Sequence, residues 1–174
     1  MVKKEVESLI NEQLEKENYS AHLYLAMATW FSEKGLTGYF KYYYTQYQEE
    51  LDHFRILYHY LLTAGGNPVI PKMDKPKCEF KDVRDILEQT LQHERYITAS
   101  IEKISTVARE VKDYKSVSLL DWFIDEQVEE EDNSTTALDR YDLFGDTPQG
   151  LYSLDAEMGT RTYTKSQKLV EMEA

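Results

Sequence analysis

The sequence predicts an all-α protein: a four-helix bundle with a long crossover between its second and third helices and a short fifth helix at the C-terminal end. Apolar residues recur every three or four positions through four long stretches, which is the period of a helix with one buried face. Only 7 Gly and 4 Pro interrupt the 174 residues. Adding 77 to four positions also relates two sets of polar residues: Glu17, Glu49, Glu50 and His53 correspond to Glu94, Glu126, Gln127 and Glu130. Such an internal repeat predicts two similar helical hairpins.

The first hairpin is predicted from two helices of nearly equal length. The first covers about 4–34 and ends at Gly35, since glycine commonly ends a helix. The second covers about 37–64, with Thr37 predicted as its cap. The apolar face of the first helix includes Glu17 at its middle, and that of the second includes the first Glu-x-x-His pair.

A connector of about 15 residues, 67–81, carries three prolines and separates the hairpins. Helices of this size are roughly 43 Å long, and an extended segment of about 15 residues spans at most about 50 Å. The connector therefore can run the full length of the bundle. This predicts that the second and third helices are parallel.

The second hairpin repeats the first. Asp82 and Asp113 are predicted to cap the third and fourth helices, which completes a bundle over about 4–144. After a Gly–Pro break, a fifth helix is predicted at about 149–158. Residues 159–174 are polar, and we predict a frayed tail there; the alternative is that Leu169 and Val170 pack on the bundle.

Length and composition predict a single domain over 1–174. The net charge of −12 argues against a nucleic-acid partner and favours attraction of cations. The single Cys78 excludes a disulfide framework within one chain, and we assign it no chemical role. No apolar run has the roughly 18 residues of a membrane helix, and no secretory signal is apparent. The prediction is a cytoplasmic protein without a membrane partner.

The central polar residues predict a metal site. Burying an unpaired carboxylate costs several kcal/mol, yet each of the four apolar faces carries ligand-type residues at its midpoint. These are Glu17, Glu50, His53, Glu94, Gln127 and Glu130. The alternative is a water-filled polar layer or a carboxylate–lysine network, but no Lys or Arg lies on the central faces.

Mostly oxygen donors with one imidazole suit iron or manganese better than metals that prefer thiolates. Glu50 can bridge two ions with its two oxygens. Glu17 and His53 are then predicted to hold one ion. Glu94 and Glu130 would hold the other, with Gln127 in reach.

Two further features have both a functional and a structural interpretation. Glu126, Glu129 and Glu130 are helical neighbours, and Glu49 faces them if the repeat symmetry holds. They form either an additional metal site or a solvated acidic face. Tyr24 lies two turns from Glu17 on the same face, and is either a redox-active neighbour of the metals or a core tyrosine.

Other candidates have weaker support in the sequence. Trp122 has the same two interpretations as Tyr24, with less to favour the functional one. His22, His59 and His93 lie off the apolar faces and are predicted at the surface.

These residues and their spacing resemble the non-haem ferritins of bacteria and archaea. The resemblance covers roughly Leu9 to Met158 and rests on the following residues: Glu17, Tyr19, Tyr24, Glu49-Glu50-x-x-His53, Glu94 and Glu126-Gln127-x-x-Glu130. Ferritin-like di-iron proteins commonly carry two Glu-x-x-His pairs. Here Gln127-x-x-Glu130 replaces the second pair, which is typical of ferritins.

The resemblance implies an iron storage protein with ferroxidase activity. A di-iron centre would bind ferrous iron, oxidise it with dioxygen or hydrogen peroxide, and pass the product to a ferric oxyhydroxide mineral inside a hollow shell of twenty-four identical subunits. Tyr24 and the six central residues would act in catalysis. Glu49, Glu126, Glu129 and Glu130 would form a third iron site. Haem is not expected, because Asp52 stands where bacterioferritins carry a haem-ligating methionine.

Two other functional classes remain open at this point. One is a non-storage di-iron or di-manganese enzyme of the peroxidase or catalase type, which needs no cage. The other is a non-catalytic acidic helical bundle that serves as an interaction module. A size measurement tests the first, and iron-dependent absorbance in air tests the second.

Overall fold

Six helices and no strand make up the computed structural model, which describes residues 1–174. The four long helices are α1 (Lys4–Glu33), α2 (Thr37–Thr63), α3 (Val83–Glu110) and α4 (Tyr114–Phe144); the two short ones are α5 (Pro148–Met158) and α6 (Gln167–Glu173). The predicted all-α fold, with a four-helix bundle and a short fifth helix, is confirmed. The sixth helix was not predicted.

Hydrogen bonds between facing helices show the direction of each helix. In the pairs Gln13–Ser100, Ser20–His93, Gln46–Glu130 and Tyr60–Ser116, residue numbers rise on one helix as they fall on the other. Thus α3 is antiparallel to α1, and α4 is antiparallel to α2. Since α1 and α2 form an antiparallel hairpin, α2 and α3 are parallel, as the long connector predicts.

The apolar core has two parts. A large apolar cluster of 18 buried residues, including Ile10, Leu57 and Leu120, fills one end of the bundle. An aromatic cluster of 12 buried residues fills the other, where Phe31 stacks on Tyr39 and Tyr43 at ring separations of 4.9 and 5.2 Å. On every long helix, the predicted ligand residues lie beside or between the segments that contribute to these clusters. The polar layer is therefore at the middle of the bundle.

The caps of α3 and α4 are as predicted, but that of α2 is not. Asp82 accepts a hydrogen bond from the Asp85 amide, and Asp113 accepts one from the Ser116 amide. Thr37 is instead the first helical residue of α2 and makes no capping bond.

The backbone amides of the first turn of α2, which have no partner within the helix, are satisfied by a residue distant in sequence. Asp155 Oδ1 of α5 accepts hydrogen bonds from the amides of Gly38 and Tyr39, both at 2.9 Å. Asp155 therefore serves as the cap, and its charge also interacts favourably with the helix N-terminus. This fastens α5 to the bundle, where Leu154 is buried in the aromatic cluster.

Replacing Gly38 by alanine is expected to destabilise the protein by about 1–3 kcal/mol, through overpacking. A Cβ at Gly38 would lie 1.5 Å from the Asp155 carbonyl oxygen, so α5 would have to move. The matched control is Thr37→Ala, an exposed position with no capping bond, for which little change is expected. Urea unfolding measures both variants, and equal stability of the two would contradict this account of the α2–α5 contact.

The tail is docked, so the prediction of a frayed segment over residues 159–174 is wrong. Leu169 of α6 is fully buried in the large apolar cluster. The Tyr163 hydroxyl and the Ser166 amide both donate to Asp52 of α2, at 3.0 and 2.9 Å. Asp52 is itself buried and needs such donors. We call residues 160–173, which lie along α2, the C-terminal strap.

Candidate metal centre

All six predicted central residues lie inside the bundle. None is more than 6 % exposed: Glu17, Glu50, His53, Glu94, Gln127 and Glu130. Each long helix contributes at least one of them, because the ligand-type residues lie on the same faces as the apolar stripes. The helical periodicity thus places six polar side chains in one buried layer.

Glu17, Glu50 and His53 form one half of this layer. Their ligand atoms all lie within 4.8 Å of one another, and Glu50 Oε2 is 3.3 Å from His53 Nδ1. Donors about 2 Å from a bound ion lie roughly 3–4 Å apart, so small side-chain movements suffice to enclose a cation. Glu17 Oε2 is buried and has no hydrogen-bond partner. This half of the layer has the donors and the spacing that a metal ion requires.

Glu94, Gln127 and Glu130 form the other half. The Tyr24 hydroxyl donates to Glu94 Oε1, and Gln127 Nε2 donates to Glu94 Oε2 at 3.3 Å. Gln46 Nε2 donates to Glu130 Oε2 at 2.9 Å. The two carboxylates of this half are therefore held in place by neutral donors.

Two glutamines play a positioning role that the sequence analysis missed. Gln13 donates to Glu17 Oε1 at 2.9 Å, and Gln46 donates to Glu130. Both are fully buried. The signal available in the sequence was their spacing, since Gln13 lies one turn before Glu17 and Gln46 one turn before Glu50.

The layer is short of positive charge. Burial, together with the neighbouring Glu50, raises the pKa of Glu17 to about 8. Burial and the neighbouring Glu130 also raise the pKa of Glu94 to about 8. Burial is again the main reason that the pKa of Glu50 lies well above its ordinary value, followed by the charge of Glu94. Carboxyl groups that resist ionisation in this way gain most from a bound cation.

The four residues of the predicted acidic set help to line a cavity of about 380 Å³: Glu49, Glu126, Glu129 and Glu130. The structure therefore brings them together, as the repeat predicts. Glu126 Oε2 is 4.0 Å from His53 Nε2, so the cavity adjoins the buried layer. Glu49 is paired with Arg161 of the C-terminal strap. A metal-binding role for this set stays a prediction.

Tyr24 is fully buried and lies against the layer, where it donates to Glu94. Trp122 packs edge-on against His53 at a ring separation of 5.9 Å. The structure thus places both aromatic residues beside the centre. It leaves their redox roles as predictions.

The prediction of a surface position is wrong for His93. Its ring is half-buried between α1 and α3, and Nε2 lies 2.7 Å from Ser20 Oγ. Tyr24 contacts it edge-on at a ring separation of 6.0 Å. Burial lowers the pKa of His93 to about 4. His93 does not lie on the stripe that faces the bundle centre, but between α3 and the neighbouring α1. The helical period alone does not distinguish such a position from one at the surface.

The remaining histidines and the cysteine lie at the periphery. His22 is partly exposed and lies 2.8 Å from the Asn18 carbonyl oxygen. His59, also partly exposed, pairs with Glu173. Cys78 is exposed and free.

Four long helices around a buried layer of carboxylates and one imidazole define a helical bundle with a crossover connection, whose centre has the donors for a metal ion. Residues 7–144 match the ferritin-like domain family. The protein belongs to the ferritin family.

Comparison with individual proteins agrees with this assignment. The chain is 34% identical over 159 residues to a probable bacterial non-heme ferritin-like protein of Haemophilus influenzae, with 91% of this chain and 96% of the relative covered. It is 34% identical over 167 residues to the bacterial non-heme ferritin of Staphylococcus saprophyticus, with 96% of this chain and 100% of the relative covered.

Among solved structures, an engineered closed form of the Archaeoglobus fulgidus ferritin superposes with a TM-score of 0.92 at 30% identity, covering 94% of this chain and 100% of the other. The open-pore ferritin of the same archaeon superposes with a TM-score of 0.91 at 30% identity, covering 93% of this chain and 100% of the other. Family membership supports iron storage and ferroxidase chemistry at the level of the family. None of the helices has the length and apolar character required to cross a membrane.

Proposed function

We propose that the protein stores iron and oxidises it, with ferrous iron as the substrate of the buried layer. The observation that carries this proposal is the layer itself: four buried carboxylates, one imidazole and one amide, with no Lys or Arg among them. Two cations would supply the missing positive charge. Oxygen donors with one nitrogen favour iron over metals that prefer sulfur.

Each central residue has a role in this proposal. Glu17 and His53 hold one ferrous ion, and Glu94 and Glu130 hold the other. Glu50 bridges the two ions, since it lies beside His53 and its charge acts on Glu94. Gln127 is an additional neutral donor to the second ion. Gln13 fixes the orientation of the Glu17 carboxylate and Gln46 that of Glu130, as hydrogen-bond partners of metal ligands do.

A pair of ions suits the chemistry of the oxidant. Each ferrous ion loses one electron when it becomes ferric, so a pair supplies two electrons together. Two electrons and two protons reduce one dioxygen to hydrogen peroxide, or one hydrogen peroxide to two waters. Carboxylates stabilise the ferric product by their charge, and the imidazole helps retain the ferrous substrate.

Storage also needs a cage, and we propose that identical subunits form the hollow shell of twenty-four that the family resemblance implies. Several large apolar side chains are exposed on the isolated chain, including Ile70 at 71% and Tyr152 at 77%. Ile70 lies on the connector and Tyr152 on α5, and others lie on the long helices. Exposed apolar residues of this kind often mark contacts between protein chains. The acidic set beside the layer is proposed as a site for a further ferrous ion.

Size measurement before and after ferrous loading tests the proposal. We expect one large assembly in both states, with iron per subunit rising far beyond two or three. A small particle that oxidises iron but retains only a few ions per subunit would favour the non-storage peroxidase- or catalase-like alternative. A protein that gives no iron-dependent absorbance in air would support the interaction-module alternative.

Replacing Tyr24 by phenylalanine is expected to leave two ions bound per subunit but to slow repeated turnover by up to about tenfold. The change removes only the hydroxyl that donates to Glu94. Stopped-flow absorbance over several ferrous additions measures the effect. The matched control is Tyr43→Phe, an equally buried tyrosine whose hydroxyl contacts Thr90. Traces that superimpose for wild type and both variants would mean that Tyr24 is only a core residue.

A further inference from the structure

The C-terminal strap places a positive charge in the acidic cavity. Arg161 Nη2 is 2.5 Å from Glu49 Oε2, and the guanidinium lies over the Tyr42 ring at 4.8 Å from its centre. The arginine side chain is only 22% exposed, and its Nη1 is buried without a hydrogen-bond partner. A charge-assisted hydrogen bond and a cation–π contact therefore fix the position of the same guanidinium group.

Arg161 differs from the other basic residues of the strap. Lys165 and Lys168 also line the cavity, but Lys165 pairs with Glu173 of the strap itself. Lys168 makes no ion pair. Arg161 alone forms an ion pair with a member of the acidic set.

The strap holds Arg161 near Glu49 through contacts that are independent of that ion pair. Tyr163 and Ser166 donate to the buried Asp52, and Leu169 is buried in the large apolar cluster. The guanidinium is thus tethered within the cavity. A tethered group has a high effective concentration at its site, which a free cation must overcome.

We propose that Arg161 determines how many cations the metal centre binds, because its guanidinium takes the place of a divalent cation at Glu49. The inference rests on the proposed function, since it presumes that the adjoining layer binds metal ions. Arginine keeps its charge at every pH of interest. A third cation at Glu49 must therefore displace the guanidinium or bind beside a like charge, and either route weakens its binding. The chain binds two cations tightly and a third weakly.

The test uses Zn²⁺, which is redox-inert, so that the readout is binding and not oxidation. Wild type and Arg161→Gln are titrated by calorimetry as assembled protein, and the ions are located by anomalous scattering from crystals soaked in Zn²⁺. We expect two tightly bound ions in wild type. In Arg161→Gln, a third ion at Glu49 should bind at least about tenfold more tightly, a change of about 1.4 kcal/mol.

Three further variants make the result specific. Arg140→Gln removes an arginine that pairs with the exposed Glu157, and should behave as wild type. Glu49→Gln combined with Arg161→Gln should lose the third ion again. Arg161→Lys keeps the charge and the tether, so its third-ion affinity should stay closer to wild type than to Arg161→Gln.

Two outcomes overturn the inference, and they are distinguishable. Equal affinity of the Glu49 ion in wild type and Arg161→Gln, with zinc at Glu17, Glu50 and His53 in both, overturns the role of Arg161 alone. Absence of zinc from Glu17, Glu50 and His53 in every variant disproves the assignment of these residues as metal ligands. The inference about Arg161 depends on that assignment and is then disproved as well.

Discussion

Replacing Glu50 by alanine is expected to slow rapid ferrous oxidation by more than about 100-fold, a larger loss than the removal of an outer hydrogen-bond partner causes. Glu50 belongs to the Glu17–His53 triad, and the charges of Glu94 and Glu130 in the other half of the layer have the largest electrostatic effect on it. Without it, two ions have no shared ligand. The measurement is the initial rate of ferrous oxidation in stopped flow, on protein shown by circular dichroism and size to be folded and assembled.

The control for this variant is Glu102→Ala, which removes an exposed carboxylate from α3. Its oxidation rate should match wild type, because a solvated charge far from the layer contributes only to general attraction of cations. A wild-type rate in assembled Glu50→Ala would disprove the assignment of Glu50 as the shared ligand.

The free energy of unfolding of the metal-free protein is expected to fall as pH rises from about 6.5 to about 8. The pKa of Glu17 and that of Glu94 are both raised from 4.5 to about 8 in the folded protein. In this window the unfolded chain has already released these protons, while the folded protein keeps them. Stability is therefore lost until pH passes the folded pKa, on the order of 2 kcal/mol per carboxyl across the window.

The window begins near pH 6.5 because His93 acts in the opposite direction below it. The pKa of His93 falls from 6.5 to about 4 on folding. Between those values the unfolded chain binds the additional proton, so this residue makes stability rise with pH. Above about 6.5 its contribution is constant. The slope then comes from Glu17 and Glu94, and Glu50 and Glu49, whose pKa values burial also raises, act in the same direction.

Urea unfolding at several pH values, in the presence of a chelator, measures this slope. Glu17→Gln should reduce the slope by about 1.4 kcal/mol per pH unit, because one titrating group is lost. Saturating Zn²⁺ should abolish the decline, since the ions bind the ionised carboxylates. A metal-free wild-type protein whose stability is flat or rises over this window would contradict the assigned charge states.

Features that repeat along a helix were predictable from the sequence. The apolar period defines which face of each helix is buried, and Glu17, Glu50 and Glu94 interrupt that face at its midpoint. A short-range pattern therefore gave both the bundle and the composition of its central layer. The parallel arrangement of α2 and α3 followed from the length of the connector alone.

Contacts between residues distant in sequence were not predictable in the same way. Asp155 satisfies the amides of α2 from 117 positions away, and nothing near Thr37 indicates it. Arg161 pairs with Glu49 across 112 positions. The strap contains few apolar residues, so its docking depends on a partner surface, including the buried Asp52, that exists only after the bundle has folded.

The division of the core into two clusters has a consequence for how the molecule opens. The large apolar cluster and the aromatic cluster are separate, with the polar layer between them. Without cations, the two ends are joined by the helix backbones and a few side-chain hydrogen bonds, and each end can undergo local unfolding with its own free energy. The proposed pair of ions, held by residues from all four long helices, would tie the two ends together. Loading the proposed centre would then convert two cooperative units into one. We expect backbone amides at both ends of the loaded protein to exchange their hydrogens with solvent only when the whole bundle opens.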